Sequence, residues 1–156
     1  MATEYKNLND KYLIYSDIIS IFKIATEIQW KEVRQNSVFR ILYLSTVLYS
    51  FIHTEKINPF NVYKFTIDIT GPYDSNISDA MDFLIKDDYI TRIIGDDILA
   101  LGSNIIDNKS FNITIGVERY NWIKLVMYIL GIYGEHKIYD FIFRDPQYQT
   151  TIKENT

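Results

Sequence analysis

Two adjacent carboxylate pairs have the types and spacing that could do chemistry: Asp87-Asp88 and Asp96-Asp97, with Lys86 beside the first. Several acids converging on one divalent metal, with a lysine nearby, form the donor set of a metal-dependent nuclease. The pairs also have a plainer use. They flank one short β-branched stretch, so Asp87-Asp88 can end a helix and Asp96-Asp97 can turn a hairpin. The plainer use is the expectation. The two histidines, His53 and His136, stand far apart and show no HExxH or other ligand spacing. Cysteine is absent, so disulfides, thiolate nucleophiles and cysteine-based metal sites are excluded. The six glycines are scattered, and none opens a phosphate loop before Lys-Ser or Lys-Thr. The serines and threonines lack a histidine partner for a triad. The chain reads as a non-enzyme that uses no cofactor and no metal.

The elements that position these residues follow from periodicity and breakers. Residues 58–101 read as helix, turn, helix and a two-stranded wing. Asn58-Pro59 breaks the chain, a short helix is expected from Phe60, and Gly71-Pro72 ends it. Ser75 or Asn76 caps a second helix, with Asp79 in its first turn. Ile77, Ala80, Met81, Leu84 and Ile85 keep helical spacing through it. Then the pattern changes to strand over residues 89–94, Gly95-Asp96-Asp97 turns, and residues 98–101 return.

Upstream, Asp10 caps a first helix over residues 11–30, with Ile14, Ile18, Ile21, Ala25 and Ile28 in one stripe and Phe22 widening it. Residues 31–36 form a charged connector, and Ser37 caps a helix over 38–53. That helix is apolar on most sides, as a central helix is. Downstream, 102–110 reads as a loop and 111–115 as a third strand. A long helix opened by Glu118 or Asn121 then runs to Ile132. Trp122, Leu125, Val126, Ile129, Leu130 and Tyr133 make one face of it, and Ile123 and Met127 another. Gly131 and Gly134 end it. A short element to Phe143 and a polar tail at 149–156 follow. The fold class is α+β, mainly α, in a single domain. A winged-helix unit at 37–101, with a two- or three-stranded wing, sits between an N-terminal helix at 10–36 and a C-terminal helical extension at 102–148.

Composition points to a partner. The chain has 156 residues, 47% of them hydrophobic and 23% charged, which is enough for a folded domain with a real core. A net charge of −4 opposes free-standing nucleic-acid binding. The unit's second helix sharpens this, since Asp79, Asp82, Asp87 and Asp88 stand against Lys86 alone. Facing phosphates, those acids repel, and such a face suits protein docking. Lys31, Arg34 and Arg40 are the densest basic group and the candidate contact with a DNA backbone. Arg119 and Lys124 are a second group. The two long helices, at 38–53 and 118–132, carry more apolar surface than one face buries, which points to a permanent partner. Ile123, Met127, Tyr128, Tyr133, Tyr43 and Tyr49 are the partner-contact candidates. The N-terminal MATEYKNLNDKY lacks the apolar core of a signal peptide. No uncharged apolar run reaches about 18 residues, so a cytoplasmic address is expected.

FRILYLSTVLYSFI, then NPFNVYKFTIDITGPYDSNISDAMDFLIKDDYI, then a wing, a long apolar helix and a closing FIFRDPQY resemble the small middle component of bacterial ABC-three-component systems. These include the Lamassu antiphage and antiplasmid systems. The likeness covers residues 38–148 and lies in element order and in Gly71-Pro72-Tyr73 ahead of the second helix. It implies a non-catalytic accessory subunit similar to the winged-helix subunits of SMC complexes. The implied partners are an SMC-like coiled-coil ATPase and an effector, often a nuclease. The implied assembly senses foreign DNA, and the small subunit restrains the effector or helps load DNA. DNA is then met through the complex, with no membrane and no small-molecule substrate. The alternative is a winged-helix DNA-binding transcriptional regulator acting as a homodimer through its terminal helices. On the partner reading, Met127→Glu is expected to leave the fold intact and abolish co-purification.

Overall fold

Every residue from 14 to 22 is buried, and this run makes α1 (Leu8–Glu27) the axis of the structure. The computed structural model describes residues 8–30, 32–69, 71–93, 98–102 and 116–143. Ile14, Ile18 and Ile21 are buried as their stripe requires, but so are Ile19 and Ile24 on other sides. A helix covered all round is the centre of its domain. The apolar run over 38–53 reads as the central helix; the structure gives that place to α1. Asp10 sits inside the first turn of α1 and is not its cap. The helix stops when Gln29 takes φ 62°. Trp30 N–H then donates to the Ala25 carbonyl at 2.9 Å and Gln29 N–H to that of Thr26 at 3.3 Å, closing the orphan carbonyls.

The connector at 31–36 contains a strand that the sequence does not announce, β1 (Val33–Arg34). Two residues are too few for a period to show. β1 runs straight into α2 (Gln35–Ile52), whose N-cap is the extended Arg34 with no side-chain cap, so Ser37 does not serve. The buried residues of α2 lie between Val38 and Ser45, and its last two turns are less covered.

The short helix expected from Phe60 is absent. Residues 59–62 form turns held by Asn58. Its amide donates to the Thr46 carbonyl and Ser50 Oγ, both at 2.7 Å, and its Oδ1 accepts from Phe60 N–H at 2.9 Å. Next, β2 (Thr66–Asp68) pairs antiparallel with β3 (Gly71–Tyr73), Ile67 opposite Pro72. Phe65, Ile67 and Ile69 alternate with Thr66, Asp68 and Thr70, a period of two that favours strand over helix.

α3 (Ser75–Lys86) is capped by Asp74, not by Ser75 or Asn76. Asp74 Oδ1 accepts from Asn76 and Ile77 N–H at 2.7 and 3.1 Å, and Oδ2 accepts from Lys64 N–H at 2.6 Å. The cap therefore also anchors the approach to β2. Asp79 lies beyond the first turn. Ile77, Ala80, Met81 and Leu84 enter the core as their spacing requires. Asp87 and Asp88 end the helix, with Asp88 at φ 63° and Tyr89 N–H on the Leu84 carbonyl at 2.9 Å. A short polar side chain tolerates that left-handed region.

β4 (Ile90–Arg92) and β5 (Ile98–Leu101) form the hairpin, Ile90 opposite Leu101. β5 also pairs with β1, Val33 opposite Leu99, so the sheet order is β1-β5-β4. Gly102 N–H donates to the Tyr89 carbonyl at 2.8 Å, and a Cβ there would stand 2.2 Å from the Asp88 carbonyl oxygen. The Asp96-Asp97 turn, the 111–115 strand and the tail lie outside the described residues.

α4 (Val117–Phe143) runs past Gly131 and is broken at Gly134, with φ 76° and ψ 163°. Its faces are rotated from expectation: Ile123 and Met127 are fully buried, while Leu125 and Tyr133 are 48% and 58% exposed. α1 packs on α3, β5 and α4, and α2 packs on α4 and β3. The architecture is α+β, mainly α. Among the described residues, no helix is long and apolar enough to cross a membrane.

Among the described residues, one ion pair is buried in this packing. Arg119 Nε and Nη2 donate to Asp17 Oδ1 and Oδ2, each at 2.7 Å. Tyr63 OH donates to the same carboxylate, and Arg119 Nη1 donates to the Pro59 carbonyl. The Phe60 ring lies 4.2 Å from the guanidinium carbon. Burial alone would lower the Arg119 pKa, but the hydrogen bonds and charge of Asp17 outweigh it and hold it above its ordinary value. Burial pushes the Tyr63 phenol well up, with the Asp17 charge adding to it, so Tyr63 stays a donor.

Arg119→Met leaves a buried carboxylate uncompensated and is expected to destabilise the fold by about 3–5 kcal/mol. The check is a lower urea midpoint at unchanged slope. Adding Asp17→Leu should recover part of the loss; strictly additive effects would show that the two are uncoupled. Gly102→Ala is expected to cost about 1–3 kcal/mol in the same assay, since its Cβ meets backbone that cannot yield.

Candidate interaction surfaces

The two acid pairs fare differently. Asp87 and Asp88 stop α3, and Asp96 and Asp97 lie outside the described residues. Among the described residues, no three or more of His, Cys, Asp and Glu could hold a metal together. His53 is the C-cap residue of α2, its ring between Tyr49 and Trp122 with centroids 4.2 and 5.3 Å away. Its Nδ1 is buried with no hydrogen-bond partner among the described residues.

A cleft of about 470 Å³ opens where the starts of α1 and α4 meet the end of α2. Leu13, Tyr49, Phe60, Val117 and Trp122 line it, with Arg119 at its side. The guanidinium is committed to Asp17 and Pro59, so the cleft offers mainly apolar shape, with the exposed carboxylate of Glu118 at its rim.

Among the described residues, the basic candidates do not form one open patch. Lys31 lies outside the described residues. Arg34 is exposed and paired with Glu32 at 3.2 Å. Arg40 is half-buried on the side of α2 that faces the start of β3, its Nε 3.8 Å from where a Gly71 Cβ would stand. Arg119 is buried, and Lys124 is paired with Glu27 at 2.8 Å. Hydrogen bonds from Lys124 and Tyr120 hold the Glu27 carboxyl below its ordinary range.

The partner-contact candidates divide. Ile123, Met127 and Tyr43 are buried, the last edge-on to Phe65 at 5.2 Å, so they serve the chain's own core. Tyr49 is half-buried against Trp122. Tyr128 and Tyr133 are exposed. Leu125 and Ile132 join Tyr128 at helical spacing, with exposed Val117 a further two turns back. This open stripe lies opposite the buried one of Ile123, Val126, Met127 and Leu130. The sequence shows that α4 is apolar on two sides. It does not show which side is covered, because that depends on Arg119 facing Asp17.

The outward face of α3 is different in kind. Ser75, Asp79, Asp82, Phe83 and Lys86 are exposed along it. Asp79 and Asp82 make no ion pair or hydrogen bond among the described residues. Phe83 stacks on Tyr15 of α1, with centroids 4.8 Å apart and planes 13° apart.

No protein-family model, curated protein or solved structure matches this chain.

The burial map makes a direct prediction about α4. Leu125→Glu is expected to change stability by no more than about 0.5 kcal/mol, since its side chain stays in water. Met127→Glu, which the sequence reads as a surface change, buries a charge and is expected to unfold the domain. Thermal melts of the two variants check both outcomes.

Proposed function

We propose that this chain is a non-catalytic winged-helix subunit of a larger assembly, and that it works by docking other proteins. The element order supports the winged-helix reading. α1, β1, α2, α3, β4 and β5 follow one another with β5 central between β1 and β4. On this reading the unit begins at α1 rather than at residue 37, α3 is the recognition helix, and β4–β5 is the wing. The β2–β3 hairpin fills the space between the second and third helices.

The observation that carries the docking role is the open stripe on α4. Leu125, Tyr128 and Ile132 are 48%, 54% and 64% exposed on a helix whose opposite side is already in the core. A run of large apolar side chains left in water marks a surface that a partner covers. The acidic α3 supports the same role, because a recognition helix that reads DNA presents cations to phosphate.

In the assembly we propose, the partners are an SMC-like coiled-coil ATPase and an effector nuclease acting in bacterial defence against phage or plasmid DNA. The chain bridges the two in the cytoplasm, and DNA is met through the assembly rather than by α3.

Expression of the tagged chain with its native gene neighbours, followed by pull-down and mass spectrometry, tests this. Recovery of a coiled-coil ATPase with an effector is expected, and Leu125→Glu/Tyr128→Glu should lose them while the chain still folds. Recovery of the chain alone, as a dimer that binds duplex DNA with a steep salt slope, would overturn the proposal in favour of a transcriptional regulator.

A further inference from the structure

Tyr12, Tyr15 and Phe83 form a continuous aromatic ladder across α1 and α3. Tyr12 meets Tyr15 edge-on, with centroids 6.2 Å apart, and Tyr15 stacks on Phe83. The ladder is open at both ends, since Tyr12 is 57% and Phe83 38% exposed while Tyr15 is buried. One turn before Phe83 on α3 stands Asp79, and Asp82 adjoins it. Both are exposed carboxylates with no ion pair or hydrogen bond among the described residues. Lys86 is the basic residue on the same face of α3. On the α1 side Lys11 places its Nζ 5.8 Å from the Tyr15 ring centroid. The ladder therefore already holds one cation against a ring.

Resting on the docking reading above, we propose that this surface binds a partner segment presenting arginine side chains. An aromatic face attracts a cation through its quadrupole. A carboxylate beside that face adds paired N–H···O bonds, for which the flat guanidinium fork is shaped. Arginine can stack on Phe83 and reach Asp79 or Asp82 together. Lysine, a compact and strongly hydrated charge, satisfies one requirement at a time. Charge complementarity selects the partner class. A nucleic-acid backbone meets two uncompensated aspartates here, whereas a basic protein segment meets its counter-charges and a platform.

The test uses the full chain and a fluorescein-labelled, alanine-based helical peptide with arginines four residues apart. Its lysine and citrulline counterparts are the controls, and binding is read by anisotropy at physiological salt. The arginine peptide is expected to bind at least tenfold more tightly than the citrulline peptide, and measurably more tightly than the lysine peptide. Asp79→Asn/Asp82→Asn should remove at least tenfold of that affinity with an unchanged melting curve, as should Tyr12→Ala/Phe83→Ala if its fold is retained. Raised salt should weaken binding. No binding of the arginine peptide, or equal binding by the Asn variant, overturns the proposal. Equal affinity for lysine and arginine overturns the guanidinium assignment. The same Asn variant in the pull-down separates the two proposals. A native partner retained by it sinks this surface and leaves docking intact, whereas no partner with the unmodified chain sinks docking itself.

Discussion

The rest of the structure depends on one carboxylate in a place where charge is expensive. Asp17 sits within a helix whose neighbours are isoleucines, and it is fully buried. It is tolerable there because Arg119 meets both its oxygens and Tyr63 supplies a further donor. The pair does more than satisfy itself. It fixes the rotation of α4 about its own axis, because the helix turn that carries Arg119 must face α1. The stripe of Ile123, Val126 and Met127 then points inward, and Leu125 and Tyr128 point out. The open face of the molecule is set by a contact on its closed side.

The same site joins the chain between α2 and α3 to the core. The Pro59 carbonyl accepts from Arg119, and Phe60 lies under the guanidinium. Asp74 then ties the start of α3 to Lys64. The segment that could have been a loose insertion is held at both ends by polar contacts. α3 inherits its position from them, and with it the face formed by Asp79, Asp82 and Phe83.

Much of this is legible in the sequence, and the failures have physical causes. The stripes of α1 and α3 and the strand at 98–101 stand out because local periodicity and local burial agree there. β1 is invisible because two residues carry no period; it is a strand only because β5 accepts it. The β2–β3 hairpin does carry a period of two, but the winged-helix order of elements requires a helix there. The faces of α4 cannot be read from a helix that is apolar on two sides. Asp17 was legible in principle: one acid inside an isoleucine-rich helix must find a buried cation. Arg119 reads as half of a surface patch because its partner lies far away in the chain. The open face of α3 was readable as acidic, but its contact with the aromatic rings of α1 is tertiary.

That distance shapes how the chain is made. Asp17 and Arg119 are 102 residues apart, and β5 joins β1 across most of the domain. During vectorial synthesis, α1 leaves the ribosome well before anything that can cover it. At about 5–20 residues per second, roughly 5–20 s separate the two members of the ion pair. Through that interval an isoleucine-rich helix with an unpaired acid waits in water. Contacts this remote in sequence also slow the final search. The nascent chain is therefore a natural client for chaperones that shield apolar helices, and the domain commits to its fold only when the start of α4 arrives.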